Sequence, residues 1–258
     1  MTAKLSTALV TKLMDTGSFK DIFANSVIDV YSGTQPASAD AAATGTLLCT
    51  VTKASGALTA ETKAVGSLTI AGASGSVDTV TVNGIDILGG SVAFVTDINA
   101  TATAVANQIN NNPKNTQFVA STTGASGVIT ITAVNGLGTL PNTWAVSGTY
   151  TTITGGTYVA MTGGVNAVNA LNFGNAAAGV LSKNGDTWSG VVGTGGTAGW
   201  FRLRTSQEAG TAVDSALIHP RFDGAISTNG AQMNLGSLTL TLGAPFIIPV
   251  AAFTLPMA

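Results

Sequence analysis

Charged side chains are scarce in this chain of 258 residues. Asp, Glu, Lys and Arg together make up 9% of it, whereas an ordinary soluble protein has about 25%. The net charge is −2, so the chain lacks the positive footprint that binding to nucleic-acid phosphates requires, and we expect no direct nucleic-acid partner. A surface with so few charges is poorly protected against association. We therefore favour a protein covered by partners in a large assembly over a merely soluble, Thr-rich β-protein.

Residues with reactive side chains are equally few. Cys49 is the single cysteine, which excludes an intrachain disulfide and a cysteine metal framework, and we expect it to be a buried thiol in a strand. His219 is the single histidine. A catalytic dyad of His219 with Cys49 or a serine is the alternative to a structural role, but no nucleophile motif accompanies it. A zinc site that included His219 would lack the further histidine and cysteine ligands that such sites usually have. We predict no catalytic residue, no metal site and no cofactor.

Two further patterns have a functional and a structural interpretation. Asp78, Asp86 and Asp97 fall in one region and are candidate oxygen ligands for Ca²⁺, although use in turns and helix caps is the favoured interpretation. The glycine-rich residues 193–196 lack the lysine and the following helix of a phosphate-binding loop. We therefore expect residues 193–196 to be a loop between two strands.

The tryptophans and arginines also have two interpretations each. The three tryptophans, Trp144, Trp188 and Trp200, are spread along the chain, which favours anchors in a core or an interface over a platform for sugar stacking. The three arginines lie within twenty residues of one another. Surface or interface salt bridges are favoured over a local basic patch; these arginines are Arg202, Arg204 and Arg221.

Long hydrophobic runs are missing as well. The most apolar stretch, residues 244–256, contains three prolines and is too short to span a bilayer. At the N-terminus, Lys4 and Lys12 bracket only seven residues, which is not the pattern of a signal peptide. We expect no membrane association and no passage through the secretory route.

What the chain does contain is a series of strand patterns. Residues 27–31 alternate, with Val27, Asp29 and Tyr31 on one face and Ile28 and Val30 on the other. The chain then runs extended towards Pro36, because the residue before a proline is pushed out of the α region. A turn follows at 38–40 and a second strand at 47–51. The stretch predicts a framework hairpin with a long, ordered arm.

The middle of the chain has a different texture. Residues 65–163 are richer in Gly, Thr and Asn, and a Gly-Ala-Ser-Gly motif and a Val-Asn-Gly motif recur at the same offset. Asn-Gly is the strongest short hairpin signal, so each copy predicts a hairpin. Between the copies lies a helix, capped by Asn99 or Thr101 and ended by residues 110–113. Its predicted apolar side consists of Ala102, Val105, Ala106 and Ile109. Strands and a helix of this length predict a small inserted α+β domain.

Outside the insertion the patterns are plainer. Residues 1–25 predict helices, with Leu5, Leu9 and Leu13 on one face, and with Ser18 capping a second helix over residues 19–24. Strands are predicted at 187–192, 199–204, 222–226, 237–242, 246–248 and 250–255. In the strand 199–204, alternation places Trp200, Arg202 and Arg204 on one face and Phe201 and Leu203 on the other. The predicted fold is mainly β: an antiparallel β-sandwich or barrel with N-terminal helices, interrupted by a small α+β domain. The predicted domains are residues 1–64 with 164–258, and the insertion at 65–163.

Several stretches of the flanking parts resemble a family of tailed-bacteriophage virion structural proteins. They are residues 31–40 (YSGTQPASAD), residues 198–203 (AGWFRL), residues 223–226 (DGAI), Met233 with Asn234, and Pro245. The resemblance covers residues 1–63 and 164–258. Residues 77–111 separately resemble small domains embedded in phage tail and surface proteins. Members of the family are recognised by framework residues, so no catalytic motif carries over.

The resemblance implies a non-enzymatic role in the virion, assembled in the host cytoplasm. We expect a capsid decoration or cement protein that bridges and stabilises shell subunits, with a neck or tail ring component and a receptor- or glycan-binding module as alternatives. The expected partners are other virion proteins, either the major capsid protein or neck and tail proteins, together with further copies of the chain in a homo-oligomer.

Overall fold

The computed structural model describes residues 3–15, 17–115, 117–124 and 127–254. The chain divides into two compact units. The split unit combines Met1–Glu61 with Ala167–Ala258, and the inserted unit is Thr62–Asn166. The inserted unit thus begins slightly before and ends slightly after residues 65–163, the range predicted from composition.

The helices and strands follow one another in this order. The first segment contains β1 (Lys4–Leu5), α1 (Thr7–Asp15), α2 (Phe19–Ile22), β2 (Ser26–Ser32) and β3 (Leu47–Lys53). The inserted unit contains β4 (Val65–Ala71), β5 (Ser76–Val82), β6 (Ile85–Asp86), β7 (Val92–Ala93), α3 (Ile98–Asn111), β8 (Phe118–Thr122), β9 (Val128–Ala133), β10 (Val146–Thr151) and β11 (Thr154–Thr162). The last segment contains β12 (Val180–Ser182), β13 (Trp188–Val191), β14 (Gly196–Thr205), β15 (Arg221–Ser227), β16 (Met233–Asn234), β17 (Thr239–Leu240), β18 (Pro245–Ile248) and β19 (Ala252–Thr254).

The fold is mainly β and consists of several antiparallel sheets, as predicted, and is consistent with a β-rich sandwich. Within the described residues no sheet closes into a barrel. The main sheet of the split unit has the order β1-β15-β14-β2-β3-β13-β18, with β16 beside β15 and β17 beside β14. A hairpin joins β2 and β3 through antiparallel pairing, with Val30 opposite Cys49. This is the framework hairpin predicted from residues 27–51.

One face of the main sheet packs into the core of the split unit. The alternation in β2 and β14 directs Ile28, Val30, Phe201 and Leu203 into this core. The opposite face is also covered, because β2 is buried along nearly its whole length. Its polar residues are therefore enclosed within the protein.

The N-terminal residues correct one prediction. Lys4 and Leu5 are not helical but form a strand that pairs with β15, with Lys4 opposite Asp223. Ser6 starts α1, since its hydroxyl accepts the N–H of Leu9 at 3.2 Å. Of the three predicted stripe leucines only Leu9 is fully buried, while Leu5 and Leu13 are exposed. Pairing with the edge of the sheet thus overrides the four-residue periodicity.

Two other local predictions have mixed outcomes. Ser18 caps α2 as predicted, accepting the N–H of Asp21 at 3.2 Å, although the helix ends at Ile22 rather than at residue 24. The alternating residues 237–242 form only the two-residue strand β17, and Leu242 is 67% exposed. Alternation alone did not determine whether a partner strand would be available.

The inserted unit contains two four-stranded sheets and α3. The sheet orders are β10-β5-β6, with β7 beside β5, and β11-β4-β9-β8. The predicted apolar side of α3 is buried in full, through Ala102, Val105, Ala106 and Ile109. The cap is Asp97 rather than Asn99 or Thr101, because its carboxylate accepts the N–H groups at the first turn of the helix.

The two predicted Asn-Gly hairpins differ. Asn83 and Gly84 have φ values of 52° and 80° and join the antiparallel pair β5 and β6, as predicted. The second copy, residues 134–136, forms no hairpin, because β9 pairs with β4 and β8 whereas the following strand β10 pairs with β5. Within the repeated Gly-rich motif, residues 125 and 126 lie outside the described residues.

Candidate interaction surface

Two irregular segments cover the polar face of the main sheet. The arm is residues 33–46, between β2 and β3, and the β14–β15 loop is residues 206–220. They are joined to each other, since Ala43 N–H donates to the Thr211 carbonyl at 3.1 Å and Asp214 N–H donates to the Asp40 carbonyl at 2.8 Å. The arm and the loop therefore form one continuous layer over the sheet.

Arg202 connects all three parts of this arrangement. Its Nε and Nη2 donate to the two carboxylate oxygens of Asp223, each at 2.7 Å, and both side chains are completely buried. Nη1 donates to the carbonyl of Gly210 in the loop at 2.7 Å, and Nη2 donates to that of Ala41 in the arm at 3.2 Å. One guanidinium thus ties the sheet, the arm and the loop together.

Arg204 forms a second buried pair on the same face. Its Nε donates to Asp29 Oδ2 at 2.6 Å, and the other oxygen of that carboxylate accepts the Thr50 hydroxyl at 2.7 Å. Its Nη1 donates to the carbonyl of Thr205, the last residue of β14, and to the carbonyl of Glu208 near the start of the loop. The pair therefore holds the beginning of the loop against β2.

Arg221 is the third member of this buried charged layer. Its Nε and Nη2 contact the carboxylate of Glu208, with Nη2 at 2.8 Å from Oε2. Its Nη1 donates to the carbonyls of Ala39 and Ala41 in the arm, at 3.3 and 3.4 Å. Burial opposes the charged guanidinium, but the hydrogen bond and charge of Glu208 outweigh it and raise the pKa of Arg221.

The arginines therefore correct the prediction of surface or interface salt bridges. All three arginines are buried. Their guanidinium N–H groups donate hydrogen bonds to residues of the split unit. Part of this arrangement follows from the sequence, since alternation places Arg202 and Arg204 on one face of their strand and Asp29 on one face of residues 27–31. Strand order was missing: β14 lies between β2 and β15, which aligns Arg202 with both Asp29 and Asp223.

Aromatic rings complete the same layer. Tyr31 stacks on Trp200 with the ring centroids 4.5 Å apart, and Trp200 Nε1 donates to the carbonyl of Thr44 in the arm at 3.2 Å. Burial raises the pKa of Tyr31 to about 12. Trp188 is also fully buried, and Trp144 packs against the core of the inserted unit. The tryptophans are core anchors, as predicted, rather than a sugar-stacking platform.

The two candidate catalytic residues occupy different environments. His219 lies in the β14–β15 loop, with Nδ1 3.9 Å from Glu208 Oε2, and lines a small cavity of about 240 Å³ with Glu208 and Arg221. Cys49 is buried in β3, as predicted, and burial raises the pKa of its thiol to about 11. A thiol with a raised pKa is a poor nucleophile at neutral pH.

The three aspartates of the inserted unit serve local structure. Asp78 accepts hydroxyl hydrogen bonds from Ser76, Thr151 and Ser91, and that of Ser76 in particular holds the pKa of Asp78 below its usual range. Asp86 accepts backbone N–H groups of its own turn, and Asp97 caps α3. Among the described residues no cluster of three or more His, Cys, Asp or Glu side chains has the geometry of a metal site.

The β14–β15 loop contains a segment that displays apolar side chains, residues 211–218, called here the apolar loop. Asp214 is 3% exposed and fixes this loop from inside, accepting the N–H groups of His219 at 2.7 Å and Ile218 at 3.2 Å. Burial alone would raise the pKa of Asp214, but these N–H groups outweigh it and lower the pKa. Val213, Leu217 and Ile218 point outward and are 60%, 46% and 60% exposed.

A second apolar feature lies on the core side of the main sheet. A cavity of about 620 Å³, called here the apolar cavity, is lined by residues of β14, β15, β16 and the C-terminal strands. They include Phe201, Phe222, Met233, Ile247 and Val250. Ile247 and Val250 are 55% and 77% exposed, so they mark its rim. The described residues that line the apolar cavity carry no charged side chain.

Neither the apolar loop nor the apolar cavity is predicted by a pattern in the sequence. The apolar residues of the loop have no regular period, and the cavity is formed by segments from both ends of the chain. No helix in the described ranges is long and apolar enough to cross a membrane. No family model, curated protein or solved structure matches this chain.

Proposed function

We propose that this chain is a non-enzymatic structural component of a tailed-phage virion, and specifically a capsid decoration or cement protein that bridges and stabilises shell subunits. The observation that carries the proposal is the combination of buried arginines and exposed apolar side chains. All three arginines are buried in ion pairs beneath the arm and the loop, while large apolar side chains such as Ile218 and Val250 are exposed. Such a surface suits burial in an assembly.

The YSGTQPASAD stretch, which resembles phage virion proteins, contributes to this layer. Tyr31, Gln35 and Ala39 of the YSGTQPASAD stretch are buried, and the neighbouring Ala41 carbonyl accepts hydrogen bonds from two arginines. A stretch with this role maintains the shape of the split unit. Its pattern is therefore a framework pattern, which supports a structural function over a catalytic one.

The proposed mechanism is burial of uncharged surface across subunit junctions. Each Å² of apolar surface removed from water contributes about 25 cal/mol, and a stable interface buries about 800 Å² on each partner. Because binding occurs only to the assembled shell, it stabilises that state by mass action. The partners in this proposal are the major capsid protein and further copies of the chain.

The test uses purified particles of the phage that encodes the chain. Quantitative mass spectrometry gives the copy number per particle, and cryo-electron microscopy locates the density. Many copies distributed over the shell are expected. Absence of the chain from purified particles would refute the virion role altogether.

The same images distinguish two alternative locations in the virion. A small symmetric ring at one vertex would replace the decoration role by a neck or tail role. Density only at the tip of a tail or fibre would favour a receptor- or glycan-binding module. In either case the decoration role would be wrong while the virion role would hold.

A further inference from the structure

We propose that copies of this chain contact one another head to tail, with the apolar loop of one copy inserted into the apolar cavity of the next. This inference deepens the proposed function and rests on it for the requirement that copies meet in an assembly. It names the two surfaces that meet. Three observations support it: the rigidity of the loop, the chemistry of the two surfaces, and their positions on the sheet.

The apolar loop is held in one conformation. Asp214 is buried and accepts two N–H groups of the loop, and its own N–H donates to the arm at 2.8 Å. The Leu217 N–H donates back to the Asp214 carbonyl at 3.2 Å, and Leu217 has φ 53°. A loop that displays Val213, Leu217 and Ile218 from such a fixed backbone loses little entropy on binding.

The chemistry of the two surfaces matches. In the apolar loop the single charged residue, Asp214, faces inward, and the remaining residues are Thr, Ala, Val, Ser, Leu and Ile. The part of the apolar cavity that the structure describes is lined by uncharged residues, among them Phe201, Phe222 and Met233. A charged partner segment would leave unpaired charges in this cavity. A second copy supplies an uncharged apolar segment.

The positions of the two surfaces require the contact to be intermolecular. The apolar loop is bonded to the arm, which covers the face of the main sheet that carries Arg202 and Asp223. The apolar cavity is lined by Phe201 and Phe222, the neighbours of those residues, which alternation places on the opposite face. The loop therefore lies on the other side of the sheet from its own cavity.

A contact between two different surfaces has a structural consequence. Because it is heterologous, it generates rings or open arrays rather than closed two-fold dimers. Three exposed side chains on the loop, Val213, Leu217 and Ile218, are far fewer than the roughly 20–30 residues a side of a stable interface. We therefore expect weak association in dilute solution and strong association where many copies are held close together.

The test is disulfide cross-linking of two single-substitution variants. Ile218→Cys places a thiol on the loop, and Val250→Cys places one at the rim of the cavity, where both native residues are strongly exposed. The native Cys49 does not interfere, because it is buried. On mild oxidation of the mixed variants at high protein concentration, we expect a cross-linked dimer at several-fold the yield of either variant alone. Leu140→Cys, at a 61% exposed site of the inserted unit, replaces Ile218→Cys in the control mixture.

Every other outcome overturns the contact. Dimers of Ile218→Cys alone would indicate loop-to-loop pairing, and dimers of Val250→Cys alone would indicate pairing of the cavity faces. A yield equal to that of the Leu140→Cys control, or no cross-link at the highest soluble concentration, would indicate no specific contact between loop and cavity.

An independent measurement uses sedimentation of variants without added cysteine. Ile218→Asp places a charge on the apolar loop and should weaken concentration-dependent self-association at least tenfold. Val119→Asp introduces the same charge at a 51% exposed site of the inserted unit and should leave association unchanged. Near-ultraviolet circular dichroism verifies that both variants fold. Equal effects of the two substitutions would refute the contact.

These experiments use the purified chain and no particles. Their failure would remove the loop–cavity contact and leave the virion role to be decided by particle composition. Conversely, absence of the chain from particles would refute the virion role while a cross-link between loop and cavity would still stand as an observation about the purified protein.

Discussion

The buried pair of Arg202 and Asp223 provides the sharpest test of how the arm is held. Replacing Arg202 by Met removes the guanidinium but retains an apolar side chain of comparable length. The Asp223 carboxylate, completely buried in the native protein, then loses both of its charged hydrogen bonds. The carbonyls of Gly210 and Ala41 lose donors as well. The substitution thus removes hydrogen bonds to the sheet, to the loop and to the arm at once.

The expected loss follows from what remains buried. Breaking a buried ion pair by removing one partner costs about 3–5 kcal/mol, because a charge is left uncompensated. For a protein of this size about 1 kcal/mol shifts the melting temperature by roughly 2–4 °C. We therefore expect the unfolding transition of Arg202→Met to fall by about 6–20 °C. The free energy of unfolding is measured by urea titration, with calorimetry for the melting temperature.

A second substitution isolates the cause. When Asp223→Leu is added to Arg202→Met, the uncompensated carboxylate disappears, and a buried pair replaced by apolar groups often costs little. We expect the double variant to regain about 1 kcal/mol or more relative to Arg202→Met, which lies in the range of couplings between contacting residues. The regain will be incomplete, because the Gly210 carbonyl loses its donor and the Ala41 carbonyl keeps only the hydrogen bond from Arg221 at 3.4 Å.

The control is an exposed ion pair of the same chain. Lys53 and Asp186 lie 2.9 Å apart, but their side chains are 50% and 26% exposed. Because such pairs contribute about 0–1 kcal/mol, Lys53→Met should change stability little. A loss below about 1 kcal/mol in Arg202→Met, or a double variant less stable than the single one, would contradict the assigned role of the buried pair.

Three further predictions concern other parts of the chain. Cys49, whose pKa burial raises to about 11, should react with a thiol reagent at pH 8 only as fast as the protein unfolds; fast reaction in native buffer would contradict this. Gly190→Ala should destabilise the protein strongly, because its Cβ would meet a backbone carbonyl of β3 at 2.3 Å, whereas Gly185→Ala has open space and should fold normally; equal melting temperatures would refute the clash. The pKa of Asp214 is lowered in the folded state, so its stabilising contribution is present above the unfolded value of about 3.9 and is lost as pH falls through the folded pKa. Amide exchange, corrected for intrinsic rates, should therefore show the apolar loop opening below about pH 4, and unchanged protection at lower pH would contradict it.

Much of the local structure was predictable because it depends on neighbours in the chain. The alternation in β2 and β14 correctly separated Arg202 and Arg204 from Phe201 and Leu203. The buried side of α3 followed from a 3.6-residue period, which any amphipathic helix displays. The low content of charge and the single cysteine also depend on composition alone.

Other features were decided by contacts between distant segments. Residues 4 and 5 were predicted to be helical, with Leu5 on the apolar stripe, but the open edge of β15 offered them hydrogen bonds as a strand. The second Asn-Gly motif had the composition of a hairpin, yet the strand after it pairs with β5. Local patterns state what a segment can form, whereas the available partner determines what it does form.

The buried charged layer shows the same division most clearly. Composition and alternation determined that the arginines would be few and that Arg202 and Arg204 would share a face. Only the tertiary structure decided that this face is enclosed, because the order β15-β14-β2 sets Arg202 beside Asp223 and Asp29, and because the arm and the loop close over them. An ion pair depends on distances of a few ångströms between separate strands, and strand order is not encoded in the period of any one strand.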